Sequence, residues 1–73
     1  MPMSWQPTFT KVASSNIDAL AHTSEGLYVR FKNGGTYFYE GVTAAEHEAL
    51  AKAESIGAHF AGQIRRKYTG VPA

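Results

Sequence analysis

Two groups of residues in this chain have types and spacings that could act on a ligand. The first is Tyr28, Arg30 and Lys32 with Tyr37 and Tyr39, aromatic and basic residues that alternate with apolar ones on either side of Asn33-Gly34-Gly35. Tyrosine rings stack on nucleobases and cations hold phosphates, so such a set suits a single-stranded nucleic acid. The second is the run Arg65-Arg66-Lys67, which holds three of the seven basic residues. A run of this kind either contacts phosphate or satisfies the carbonyls and dipole at a helix C-terminus.

Catalytic chemistry has less to build on. The three histidines, His22, His47 and His59, have no metal-site spacing, and His47-Glu48 lacks the second histidine of a zinc-protease helix. They read as surface or packing residues. The serines sit in turn-forming clusters without an elbow motif, and Gly34-Gly35 opens no helix and so is no phosphate loop. Glu46 has a capping role, and Glu48 pairs with Lys52 four residues on. The reading is a non-enzyme with no cofactor and no metal.

The elements that must position these residues follow from hydrophobic period. Pro2 and Pro7 disfavour regular structure in residues 1–11, an N-terminal arm whose large apolar residues are Trp5 and Phe9. The arm either straps these rings to the domain or reaches a partner. Residues 12–73 form one domain. Ile17, Ala19 and Ala21 alternate with Asp18, Leu20 and His22 as a first strand. Leu27-Tyr28-Val29-Arg30-Phe31-Lys32 alternates cleanly as a second, and Thr36-Tyr37-Phe38-Tyr39-Glu40 is a third.

The hairpin loop decides which face the tyrosines take. A two-residue Asn33-Gly34 loop pairs Arg30 with Tyr37 and Tyr28 with Tyr39, gathering Tyr28, Arg30, Lys32, Tyr37 and Tyr39 on one exposed face. A three-residue loop with a glycine bulge reverses the parity, sends Tyr37 and Tyr39 to the core side and puts Phe38 outside. The sequence admits both.

Beyond Gly41-Val42 the period becomes helical. Thr43-Ala44-Ala45-Glu46 is a capping box that starts a helix from Ala44 to Ala53, with Ala45, Ala49, Leu50 and Ala53 on its buried side. A second helix places Phe60, Ile64 and Tyr68 on one face and ends at Gly70 and Pro72. The expected fold is α+β, a three-stranded antiparallel β-meander followed by two α-helices packed on one face. Its expected core is Leu27, Val29, Phe31, Leu50, Phe60 and Ile64.

The 73 residues allow one domain, and 44% apolar content with one tryptophan, four tyrosines and four phenylalanines belongs to a folded chain. The absence of cysteine removes disulfides and thiolate metal sites and points to a reducing cytoplasm. No stretch reads as a membrane span or signal peptide. The formal charge of +1 gives no global basic field, so any nucleic-acid binding must rest on local clustering.

The chain also resembles the KTSC domain family over about Val12 to Tyr68. The marks are Ser14-Ser15-Asn16-Ile17, Leu27-x-Val29-x-Phe31 with Gly34-Gly35, Tyr37-x-Tyr39-x-x-Val42, and Ser55-x-Gly57-x-x-Phe60 with Ile64 and Tyr68. His22 stands where the pattern leads one to expect an aromatic. The family is named for its occurrence at the C-terminus of some lysyl-tRNA synthetases and also occurs as short bacterial and phage proteins. The resemblance implies no catalytic residue, and RNA binding has been suggested for the family. Three partners follow as expectations. The first is single-stranded RNA or another nucleic acid, with Tyr37 and Tyr39 stacking, Tyr28, Arg30 and Lys32 beside them, and Arg65, Arg66 and Lys67 as secondary contacts. The second is a host protein engaged by a phage or prophage accessory module. The third is a small nucleotide held in a pocket made by self-association.

Overall fold

The computed structural model describes residues 7–73. Among these residues five antiparallel strands lie in sequence order: β1 (Thr10–Lys11), β2 (Ile17–Thr23), β3 (Gly26–Phe31), β4 (Thr36–Glu40) and β5 (Gly70–Pro72). Helix α1 (Ala44–Ala51) follows β4, and α2 (Ile56–His59) runs without a break into a π-helical turn, Phe60–Ile64. The α+β class stands, with two strands more than the sequence predicts. Both extra strands are too short to show a period. β1 lies in the N-terminal arm, where Thr10 pairs with Leu20 and Lys11 with Ala19. β5 occupies Gly70–Pro72, which the sequence reads as a helix stop; Val71 pairs with Phe38. Pro72 is tolerable there because β5 is an edge strand.

The hairpin uses the bulged loop. The Phe31 amide donates to the Gly35 carbonyl at 2.8 Å, and the Gly34 amide donates to the Phe31 carbonyl at 2.9 Å. Gly34 takes φ +102°, which an L side chain rarely adopts. Val29 therefore pairs with Tyr37, Leu27 with Tyr39, and Tyr28 with Phe38. Tyr37 and Tyr39 share the face of Leu27 and Val29; Phe38 joins Tyr28 on the other.

A second bulge corrects the reading of β2. Ile17 pairs with Phe31 but Ala19 with Arg30, so Asp18 is the extra residue and the alternation shifts by one. Ile17, Leu20 and His22 consequently lie on the helix-covered face, and Ala19 and Ala21 on the outer one. Asp18 is fixed by Lys11 at 3.1 Å and Arg30 at 3.0 Å, and the two cations hold its carboxyl below the usual range.

All six expected core residues pack in the core, five of them buried and Phe31 partly so; Ile17, Leu20, Tyr39, Val42 and Ile56 complete the cluster. Helix α1 is shorter than expected and turns only Leu50 fully inward, leaving Ala45 and Ala49 exposed. Its capping box is present: the Glu46 amide donates to Thr43 Oγ1 at 3.2 Å, and the Thr43 amide donates to Glu46 Oε1 at 3.3 Å. In the arm, Phe9 packs edge-on against Tyr28, while Trp5 lies outside the described residues. Among the described residues no helix is long and apolar enough to cross a membrane.

Candidate nucleic-acid interface

The β4 parity places Tyr37 and Tyr39 two residues apart on the face that α2 and the π turn cover. The π turn closes with the Arg65 amide donating to the Phe60 carbonyl at 2.9 Å. It keeps Phe60 and Ile64 in the core and carries Arg65 to the side of β4. Tyr37, Tyr39, Phe60, Arg65, Tyr68 and Gly70 thereby line one groove of about 490 Å³.

Within the groove the two tyrosines differ. Tyr39 is 6% exposed and meets Phe60 edge-on at 5.3 Å. Burial pushes its hydroxyl pKa up, against the opposing pull of Arg65. Tyr37 is 37% exposed, with its ring edge-on to Phe31 at 5.9 Å. Gly70 is required where β5 passes the groove, because a Cβ there would stand 2.5 Å from the Tyr39 ring.

Glu46 organises the far wall. It accepts a short hydrogen bond from the Tyr68 hydroxyl and an ion pair from Lys67 at 2.9 Å. Tyr68 first and Lys67 second hold its carboxyl down at about 2. The same contact raises the pKa values of Tyr68 and Lys67, so Tyr68 keeps its proton and Lys67 its charge.

The sequence-predicted residues thus divide. Tyr37, Tyr39 and Arg65 come together. Tyr28 and Arg30 lie on the opposite face, so the single exposed patch of the two-residue loop does not form. There Tyr28 packs on Phe38 with ring centroids 4.7 Å apart, and the Arg30 guanidinium sits 4.5 Å above the Phe9 ring while its Nε bonds Asp18. Lys32 is exposed in the hairpin loop, Arg66 is exposed beyond the π turn, and Lys67 is paired with Glu46. The sequence reading missed Tyr68 as a groove residue by assigning it to a buried helical face. The signal available was Gly70 and Pro72 just after it, which break the helix and turn the chain back toward β4. Among the described residues no group of three or more His, Cys, Asp or Glu side chains could hold a metal ion.

A model of the KTSC domain matches residues 13–68. The chain belongs to the KTSC domain family. The crystal structure of a KTSC domain protein from Yersinia pestis is similar throughout, with a TM-score of 0.85 and 28% identity over 93% of this chain and 99% of that one. No curated protein matches the chain. Most of the KTSC marks in this sequence have a structural task. Ser14 Oγ accepts the Ile17 amide at 3.2 Å, and Ser55 Oγ accepts the Ala58 amide at 3.3 Å. Leu27, Val29, Tyr39, Val42, Phe60 and Ile64 are core. Among the aromatic marks Tyr37 is the most exposed.

Proposed function

We propose that this KTSC domain is a small, non-catalytic cytoplasmic module that binds single-stranded nucleic acid, RNA in the first instance, in the groove between β4 and the π turn. The observation that carries the reading is the exposed Tyr37 ring at the groove mouth, in the same groove as Arg65 and over a floor of buried Tyr39 and Phe60. A base stacks on Tyr37, and Arg65 takes the adjoining phosphate. Lys32 and Arg66 are exposed cations free of the groove lining, whereas Lys67 is committed to Glu46. Stacking on one exposed ring is sequence-tolerant, since every base has a π-face.

Titration of a short single-stranded RNA at two salt concentrations tests this. Phosphate binding must weaken with salt, and Arg65→Ala must lower the slope of log K against log salt by about 0.7, the share of a single neutralised phosphate. Binding that is indifferent to salt would remove the proposal.

A protein-interaction module, such as a phage accessory protein would supply, is the second reading. The net charge of +1 and the exposed apolar Val71, 49% accessible on β5, favour it. A small nucleotide remains the third, and titration with a free mononucleotide separates it from the polymer.

A further inference from the structure

His22 and His47 are far apart in sequence but stack face to face, ring centroids 5.2 Å apart and planes within 10°. His22 lies on the core face of β2 and His47 on α1, so the stack joins helix to sheet. His22 Nε2 is 2.8 Å from the Val42 carbonyl, which fixes that ring to the turn before α1. The carbonyl can only accept, so Nε2 carries the proton. Behind the pair runs a groove of about 340 Å³ between α1 and the β1–β2 edge, lined by Val12, Leu20, Ala51 and the two histidines among others.

The attachment of α1 is slight. Leu50 is its one fully buried residue, so the helix depends on Leu50, the histidine stack and the ties of Glu46 in its first turn. We propose that the His22–His47 stack is a proton-operated latch: with His47 neutral the stack holds the C-terminal half of α1 to the sheet, and protonation of His47 beside His22 loosens it and opens the groove behind the pair.

The surroundings support the latch. Thr8 and Thr10 from the N-terminal side, Leu27 opposite His22 on β3, and the Val42 carbonyl offer no carboxylate. The charged group acting on His47 is Glu48 of its own helix, which favours protonation. Burial first and His22 second outweigh it, holding His47 below the usual histidine range. A folded-state pKa below the unfolded one means that the attached form binds fewer protons. Attachment is therefore complete above the ordinary histidine pKa and weakens as pH falls through that range. Glu46 stays ionised down to about 2, so the first turn remains tethered and the motion is a hinge.

Amide hydrogen exchange on the whole chain tests this, with protection factors corrected for intrinsic rates at about pH 7.5 and about pH 5. Lys52, whose amide donates to Glu48 at 3.1 Å, reports α1; Val29 reports the central strand. The latch predicts a loss of protection at Lys52 at the lower pH, with Val29 unchanged. His22→Phe keeps a ring in the stack but removes the second imidazole from beside His47, so the loss at Lys52 should shrink to the part that burial of His47 causes. His47→Phe keeps a ring but removes the group whose burial is the larger cause, so there the loss should vanish. Unchanged protection at Lys52, an equal loss at Val29, a loss as large in His22→Phe as in the parent chain, or one that survives in His47→Phe would each overturn the proposal.

Discussion

The two faces of the β3–β4 hairpin carry the same kinds of side chain and put them to different use. On the outer face Tyr28, Phe38, Phe9 and Arg30 satisfy one another: rings pack on rings, and Arg30 is shared between Asp18 and Phe9. On the inner face Tyr39 and Phe60 make a floor, and Tyr37 and Arg65 line a groove that is open to solvent. An aromatic-basic composition therefore says little about binding by itself. What separates the faces is how far each group is already committed within the fold.

The largest expected effects are in the floor, where stability and binding fail together. Phe60→Ala removes edge contacts to both Phe31 and Tyr39 and should cost about 3–5 kcal/mol, a large part of the stability of so small a domain. Tyr39→Ala should act similarly. An unchanged melting temperature in either variant would show that the floor is not part of the core and that the difference between the faces is misjudged.

A smaller effect concerns the wall. The Glu46 carboxyl is depressed to about 2, so its contribution to stability is present above the unfolded carboxylate range and is lost as pH falls from there through about 2. Glu46→Gln should therefore flatten the acid limb of a plot of melting temperature against pH. An acid limb identical to that of the parent chain would place the acid-sensitive group elsewhere.

The smallest effect is on the outer face. Asp18→Asn removes the carboxylate that both Lys11 and Arg30 engage. Both pairs are partly exposed, and such pairs contribute little. Nucleic-acid affinity should rise only slightly, through the added net charge. A rise of tenfold or more would mean that Arg30 becomes a strong phosphate contact when released and that the outer face is the better site.

The core and the helix start were legible because they rest on strong local signals: β3 alternates strictly, and Thr43 with Glu46 is a capping pair. The site was half legible. Asn33-Gly34-Gly35 supports either loop, and the parity of Tyr37 and Tyr39 is settled by tertiary fit, with Tyr39 closing over Phe60 and Gly70. The β2 register was hidden for a related reason. Its bulge falls at Asp18, whose partners Lys11 and Arg30 come from the two neighbouring strands, so no reading of β2 alone reveals it. Residues 10–11 and 70–72 are too short to carry a period, and their pairing comes from strands already in place.

The central claim is that the open inner face, not the aromatic outer one, holds the ligand. The direct measurement is fluorescence anisotropy with a short single-stranded RNA against Tyr37→Ala and Phe38→Ala, neighbours on β4 that point to opposite faces, each first confirmed as folded by circular dichroism. Tyr37→Ala should weaken binding by about 1–3 kcal/mol for the base that no longer stacks, while Phe38→Ala leaves it within error. Equal binding by Tyr37→Ala and the parent chain, or a loss confined to Phe38→Ala, would contradict the account.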